Sequence, residues 1–147
     1  MVRIGIVGTN MITERLLEAA IAIEDFKLTA VYSRTTEQAE KFASNYGVTK
    51  LFTNLEEMAS SEEIDAVYIA SPNSFHAQQA ILFLQNGKHV LCEKPLAANA
   101  AEVATMIEAA QEHQLGLFDG NGVQAVERLL GGHHCGLAGP GHEQVGV

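Results

Sequence analysis

Two patterns of apolar residues, one typical of strands and one typical of helices, alternate along the chain up to residue 118. Short apolar runs at 3–8 (RIGIVG) and 66–70 (AVYIA) are typical of strands buried on both faces of a sheet. After the first run, apolar residues between positions 12 and 23 recur at helical spacing. The same alternation predicts further strands at 28–33, 51–52, 89–92 and 115–118, with a helix between consecutive strands.

Strands that alternate with helices form a parallel sheet with helices on both faces. The sequence therefore predicts an α/β fold, a Rossmann-type doubly wound parallel sheet, for residues 1–118, followed by an irregular tail over 119–147. In such a sheet ligands bind beyond the carboxyl ends of the strands. Four of these ends are polar and should line one edge of the sheet: 8–10, 33–34, 71–73 and 93–95.

Polar residues and glycines mark the predicted helix ends. Asn54, Ser74 and Asn99 each precede a segment of helical periodicity and are predicted N-caps. Gly47 and Gly87 follow such segments and are predicted to close their helices.

The composition narrows the set of partners. With 147 residues, 47% of them hydrophobic, the chain can bury one domain core. Its net charge of −9 argues against binding to nucleic acid or to an anionic membrane surface. No apolar run reaches the ~20 residues of a membrane span, and no cationic, apolar leader precedes the first strand. Two cysteines make no disulfide framework, so we expect a cytoplasmic protein.

The tail differs from the rest of the chain. It is rich in glycine and histidine, and only residues 123–130 have a helical pattern. His133, His134, Cys135 and His142 are zinc-capable, but glycines surround them and no regular element supports them. We therefore expect no metal site.

The first strand-to-helix turn has the position of a phosphate-binding loop. Gly8 supplies the tight bend, whereas Asn10 and Thr13 stand where the dinucleotide fingerprint has two further small residues. Asn tolerates a positive φ, and the main-chain N–H groups at the helix start should face an anion. The alternative is an ordinary tight turn. The predicted phosphate-binding residues are Gly8, Thr9, Asn10, Met11 and Ile12.

The second strand ends in Ser33 and Arg34, where NAD-binding proteins carry an acidic residue for the ribose 2′-hydroxyl. A hydroxyl and a guanidinium suit a 2′-phosphate instead, and the guanidinium can stack on adenine. The pair therefore predicts NADP in preference to NAD. The alternative is a solvated arginine beside a helix cap.

The loop after the fourth strand combines Ser71, Pro72 and Asn73. Proline stiffens the loop, and the loop lies at the predicted ligand edge. His76 follows in the first turn of the next helix, as a ligand contact or as an ordinary surface histidine.

The fifth strand is followed directly by Glu93, Lys94 and Pro95, which are further candidate cofactor contacts. Lys94 could donate to a substrate oxygen or, if partly buried, assist proton transfer, which makes it the candidate catalytic residue. Glu93 would orient Lys94 or cap the chain. The alternative is a surface ion pair of little energetic value.

Together, the segments GIVGTN, VYSRT, SPNSFH and GKHVLCEKPLA resemble the glucose–fructose oxidoreductase/inositol dehydrogenase (Gfo/Idh/MocA) family in order and spacing. The resemblance implies an N-terminal Rossmann domain that binds NADP or NAD, and hydride transfer to or from a sugar, cyclitol or similar polyol. It implies that Lys94 lies near nicotinamide and substrate, and that Lys94-Pro95 is a cis peptide. It also implies that the cofactor cleft is lined by Ser71, Pro72, Asn73 and His76.

The resemblance covers residues 1–118. The family continues with a second α/β domain that supplies most substrate contacts, the catalytic histidine and the oligomer face, and no stretch after residue 118 matches it. Family members usually have Met-Glu where this chain has Asp119-Gly120-Asn121-Gly122. Codons GAT-GGA-AAC-GGN read one base later give Met-Glu-Thr, so we hypothesise a frameshifted tail, which the gene sequence would test. The alternative is a short protein.

The sequence thus predicts the nucleotide-binding part of an NAD(P)-dependent oxidoreductase. For this chain alone we expect weak NADP binding and little turnover, because half of the substrate cleft is missing. Two alternatives stay open. One is a non-catalytic nucleotide sensor that uses the same cleft, and the other is an inactive fragment whose exposed apolar surface promotes self-association.

Overall fold

The computed structural model describes residues 1–120, which form a single parallel sheet flanked by helices. The strands are β1 (Val2–Val7), β2 (Phe26–Tyr32), β3 (Lys50–Phe52), β4 (Ala66–Ile69), β5 (His89–Cys92) and β6 (Leu117–Asp119). The helices are α1 (Met11–Ala20), α2 (Thr36–Ala43), α3 (Leu55–Ser60), α4 (His76–Gln85) and α5 (Ala100–Glu112), and a 3₁₀ turn (Asn73–Phe75) precedes α4.

The strand order is β3-β2-β1-β4-β5-β6, and every neighbouring pair is parallel. This is the order of the doubly wound dinucleotide-binding fold, so the predicted fold class is confirmed. The order reverses between β1 and β4, because the chain crosses from the β3 side of the sheet to the other side there. A crevice forms at such a reversal.

The core has two layers, one on each face of the sheet. Successive strand residues point to opposite faces, so Ile6 packs with the α1–α2 layer and Val7 with the α3–α4–α5 layer. Strand β4 divides in the same way, with Tyr68 on the first side and Val67 and Ile69 on the second. Burial on both faces explains why these strands are continuous apolar runs.

Most predicted helix ends are confirmed. The side-chain oxygen of Asn54 accepts from the N–H of Glu57 at 3.0 Å, and that of Asn99 accepts from the N–H of Glu102 at 2.9 Å. Gly47 has a positive φ of 68°. Such a left-handed residue is the usual way to end a helix, and the same holds at Gly87 with a φ of 78°.

The apolar pattern between positions 12 and 23 identifies the buried face of α1 only in part. Thr13, Leu17 and Ala20 face the core, whereas Ile12 is 53% exposed and Ile23 lies beyond the end of the helix. The helix is rotated because Thr13 turns inward to reach the end of β1, as described below. A periodicity of apolar residues cannot predict that a side chain with a hydroxyl group is buried.

The last strand begins two residues later than predicted. The N–H of Leu115 donates to the carbonyl oxygen of Ala110 and so completes the end of α5. Gln114 has a φ of 54°, the left-handed conformation that reverses the chain after a helix. Strand pairing therefore starts only at Leu117, which lies opposite Val90.

Residues 121–147 lie outside the described residues. The predicted helix at 123–130 and the zinc-capable side chains of the tail belong to that segment. Within residues 1–120, no group of three metal-binding side chains comes together, and no helix is long and apolar enough to cross a membrane.

Candidate cofactor-binding site

A cleft of about 960 Å³ opens at the carboxyl edge of the sheet, beside the reversal between β1 and β4. Its volume is at the upper end of the roughly 300–1,000 Å³ that is usual for ligand pockets. The predicted site residues that line it are Gly8, Thr9, Asn10, Ser33, Arg34, Ser71 and Pro72. The predicted residues that do not line it are Met11, Ile12, Asn73, His76, Glu93, Lys94 and Pro95.

The turn after β1 is held tightly against the end of β4. Gly8 has a φ of 109°, and a Cβ atom there would lie 2.7 Å from the carbonyl oxygen of Ala70. The hydroxyl of Thr13, fully buried, donates to the carbonyl oxygen of Gly8 at 2.6 Å. Glycine is therefore required at position 8, while Thr13 takes the place of the fingerprint's last small residue and adds a hydrogen bond.

Asn10 is the N-cap of α1. Its Oδ1 accepts from the N–H groups of Ile12 and Thr13 at 3.0 and 3.2 Å, and its Nδ2 donates to the carbonyl oxygen of Ala70 at 2.7 Å. The expectation that these N–H groups face an anion is wrong for Ile12 and Thr13, because the carboxamide of Asn10 already accepts from both. The side chains of Met11 and Ile12 point into solvent, with 64% and 53% of their surface exposed.

The end of β2 forms another wall of the cleft. Ser33 is buried, and its hydroxyl donates to Oε1 of Gln38 at 3.1 Å. The hydroxyl of Thr35 accepts from the N–H of Gln38 and caps α2. Arg34 lies between these two anchored residues and is exposed, so its guanidinium is available to a ligand in the cleft.

Charged side chains of both signs line the cleft. Arg34 and Lys41 are its two cations, and Glu14 and Glu56 are carboxylates. Lys41 comes from α2 and was not among the predicted site residues. An anionic ligand is therefore attracted by particular cations and not by the protein as a whole, whose net charge is −9.

The loop after β4 enters α4 through main-chain contacts. The carbonyl oxygen of Pro72 accepts from the N–H of Phe75, which forms the 3₁₀ turn, and α4 begins at His76. The prediction that Ser74 is the N-cap is wrong, because Phe75 takes that position and no side chain caps the helix. The hydroxyl of Ser71 donates to Oε1 of the buried Gln79 at 2.5 Å.

His76 is only 1% exposed, so both interpretations of it, as a ligand contact or as a surface histidine, are wrong. Its Nδ1 lies 2.8 Å from the carbonyl oxygen of Pro95, and its Nε2 lies 2.7 Å from that of Ser71. The ring thus lies beneath the cleft wall, between two loops. A main-chain carbonyl oxygen lies within hydrogen-bond distance of each of its nitrogens.

The segment after β5 does not form the surface ion pair that was the alternative interpretation. Oε1 of Glu93 accepts from the hydroxyl of Tyr68 at 2.6 Å, and Oε2 accepts from the N–H of Lys94 at 3.3 Å. Among residues 1–120, the Glu93 carboxylate makes no ion pair with the Lys94 ammonium group. Lys94 is exposed and not partly buried. The Lys94-Pro95 peptide is cis, as the resemblance implied.

Burial sets the protonation of two groups near Glu93. Burial, and then the hydrogen bond to the Glu93 carboxylate, raise the pKa of Tyr68 above that of a free phenol. Burial, followed by the charge of Glu93, raises the pKa of the Cys92 thiol to about 12. Tyr68 therefore remains a hydrogen-bond donor to Glu93 at neutral pH, and Cys92 remains an unreactive thiol.

The family model for the Gfo/Idh/MocA oxidoreductase family, NAD-binding Rossmann fold, matches residues 2–120. The chain belongs to this family. It is 54% identical over 119 residues to a scyllo-inositol 2-dehydrogenase (NADP⁺) of Bacillus subtilis, and 55% identical over 119 residues to an uncharacterized oxidoreductase of Escherichia coli. Each alignment covers 81% of this chain and 36% of the relative, so the chain spans about a third of the length of these relatives.

Comparison with solved structures also shows similarity to oxidoreductases. A 3-ketoreductase from Actinomadura kijaniata, in complex with NADP and TDP-benzene, superposes with a TM-score of 0.77 at 30% identity. An apo scyllo-inositol dehydrogenase from Lactobacillus casei superposes with a TM-score of 0.74 at 30% identity. These matches cover 81% and 82% of this chain, and 37% and 36% of the other chains.

Sequence reasoning missed Gln79, Tyr68 and Lys41 as residues that shape the site of this Gfo/Idh/MocA chain, and it named Thr13 without predicting its hydrogen bond. Thr13 and Gln79 hold the turn and the loop from behind, Tyr68 holds Glu93, and Lys41 adds a cation. Thr13 occupies the last position of the glycine fingerprint, which was the one available signal. Tyr68 reads as an ordinary member of an apolar strand.

Proposed function

We propose that this chain is the NAD(P)-binding part of an oxidoreductase that transfers hydride to or from a sugar, a cyclitol or a similar polyol. The observation that carries the proposal is the cleft at the strand-order reversal, with the Gly8 turn and Arg34 on its walls. Relatives named as an inositol dehydrogenase and a 1,5-anhydro-D-fructose reductase support this substrate class. A non-catalytic sensor is not favoured by these comparisons, in which dehydrogenases and reductases predominate.

The residues present fit a dinucleotide. Gly8 lets the β1–α1 turn pack directly against the main chain of Ala70, which any side chain there would prevent, and so keeps the turn at the edge where a pyrophosphate would lie. Ser71 and Pro72 line the opposite side of the reversal, at the end of β4. A dinucleotide that spans the edge would therefore place its adenosine end toward β2 and its nicotinamide end toward β5.

We propose NADP as the preferred cofactor. Arg34 offers a guanidinium at the end of β2, and Lys41 lies on the wall of the same cleft. A 2′-phosphate would gain charge-assisted hydrogen bonds there. NAD would have no carboxylate from Ser33 or Arg34 to bind its 2′-hydroxyl. Among solved relatives, the 3-ketoreductase contains NADP.

The roles of the remaining residues follow from their positions. A bound nicotinamide supplies the hydride acceptor or donor. Lys94 follows β5 at the same edge and is exposed, so its side chain can reach a substrate oxygen, to which the ammonium form would donate a proton and from which the neutral amine would receive one. Glu93 fixes the main chain of Lys94 by accepting from its N–H. We propose that residues 1–118 are the cofactor-binding unit and that this chain alone turns over little substrate.

The proposal is tested by fluorescence titration of the chain with NADPH and with NADH. We expect saturable binding with NADPH favoured, and Arg34→Gln should weaken NADPH binding about tenfold while changing NADH binding little, which corresponds to about 1.4 kcal/mol. Arg15→Gln is the matched control, since Arg15 is exposed on α1 away from the cleft lining. Absence of saturation at millimolar NADPH would contradict the proposed function, and equal effects of the two substitutions would contradict the NADP site.

A further inference from the structure

His76 lies between two loops and contacts Ser71, five residues before it, and Pro95, 19 residues after it. One loop follows β4 and gives the cleft its Ser71–Pro72 wall, and the other follows β5 and carries Lys94 and Pro95. The ring contacts the carbonyl oxygens of Ser71 and Pro95 at 2.7 and 2.8 Å, and only 1% of the residue is exposed. No other hydrogen bond between side chain and main chain among residues 1–120 links these two loops.

The chemistry of the two partners restricts the ring. Carbonyl oxygens accept hydrogen bonds and cannot donate them. The ring can therefore donate to Ser71 or Pro95 only through a nitrogen that carries hydrogen, and it donates to both only when both nitrogens do. Glutamine could serve one carbonyl group, and phenylalanine would fill the space of the ring without serving either.

The segment that carries Lys94 is thereby held at two points. Glu93 is fixed by the hydroxyl of Tyr68, and Pro95 is fixed by His76. The exposed Lys94 lies between these anchors, so its main chain is defined although its side chain is free to move. Without His76, the Pro95 anchor is lost and only the Glu93 anchor remains.

We propose that His76 is a positioning residue of the cofactor cleft, a brace that fixes the Lys94–Pro95 segment relative to the Ser71–Pro72 wall. This inference rests on the proposed function, because the segment matters to a ligand only if the nicotinamide end reaches β5. The adenosine end lies toward β2, on the other side of β1, and does not depend on His76.

Two ligands separate the two ends of the cleft. NADPH spans the edge of the sheet, whereas 2′,5′-ADP carries the adenosine end alone. We expect His76→Phe to weaken NADPH binding about tenfold and to leave 2′,5′-ADP binding within about twofold. His76→Gln should have an intermediate effect on NADPH. His113→Gln is the control, since His113 is exposed at the carboxyl end of α5 and is not among the residues that line the cleft.

A purely structural histidine would give a different result. Loss of both ligands in parallel with a lower melting temperature, or no change for NADPH in a folded variant, would overturn the proposal. If His76→Phe does not fold, the proposal is tested by ligand binding to His76→Gln and by ¹⁵N NMR of the wild-type ring. The brace predicts hydrogen on the ring nitrogen that faces Pro95, and a bare nitrogen at that position would overturn it. If the wild type binds neither ligand, the proposed function fails, while the NMR result still tests the brace.

Discussion

Replacing Gly8 by alanine tests the close approach of the β1–α1 turn to the end of β4. The new Cβ would lie 2.7 Å from the carbonyl oxygen and 2.8 Å from the carbonyl carbon of Ala70, and 3.1 Å from the nitrogen of Ser71. All three are main-chain atoms inside the sheet edge, so they cannot move aside as a flexible side chain would. The residue would also have to keep a φ of 109°.

The two costs can be estimated separately. Holding an L-residue at positive φ costs about 1–2 kcal/mol. Forcing an extra carbon into a packed contact costs about 1–3 kcal/mol. We therefore expect Gly8→Ala to lower the free energy of unfolding by about 2–5 kcal/mol, a large share of the roughly 5–15 kcal/mol of a typical domain.

Gly47→Ala separates the two costs. Gly47 has a φ of 68°, and a Cβ atom added there would meet no atom of another segment within 4 Å. This variant should therefore lose only the conformational part, about 1–2 kcal/mol. Urea unfolding of both variants, followed by circular dichroism, measures the difference. If Gly8→Ala loses no more stability than Gly47→Ala, the turn does not pack against β4 as described.

Three further predictions concern a cap and two ionisable groups. Asn10→Gly removes a cap and a hydrogen bond, so urea unfolding should show a loss of about 1–2 kcal/mol. NADPH binding should not weaken, since two N–H groups become free for phosphate, and weaker binding by the folded variant would contradict this role. Arg3 holds the pKa of Asp65 at about 2 through hydrogen bonds, below its usual 3.8. Stability from this pair should be present above pH 4 and be lost as the pH falls toward 2, and Asp65→Asn should lack this loss in acid titrations of stability. Burial raises the pKa of Tyr68 above 10, so stability should fall as the pH rises beyond 10. Tyr68→Phe should show a smaller fall in alkaline unfolding, and an unchanged fall would refute the assignment.

The fold and seven of the residues that line the cleft could be predicted because they depend on local patterns and on one rule of topology. Apolar periodicity located the strands and helices, and parallel strands bring their carboxyl ends to one edge. Gly8, Arg34 and Ser71 follow three different strands and come together in the cleft for that reason. The two asparagine caps depend only on residues three positions away.

The errors have a common physical cause. The burial of His76 depends on the carbonyl oxygen of Pro95, and the rotation of α1 depends on the hydroxyl of Thr13 reaching Gly8. The hydrogen bond between Tyr68 and Glu93 depends on the register of β4 and β5. Such contacts between distant segments satisfy buried polar groups, and a hydrophobic pattern does not contain them.

The position of the ligand is the central claim, and NMR mapping with NADPH tests it most directly. The account predicts that saturable shifts of main-chain N–H signals concentrate at Gly8–Asn10, Ser33–Arg34 and Ser71. It predicts no shifts at the opposite edge of the sheet, around Arg3, Asp65 and His89. Shifts centred on that opposite edge, or no saturable shifts at millimolar NADPH, would contradict it.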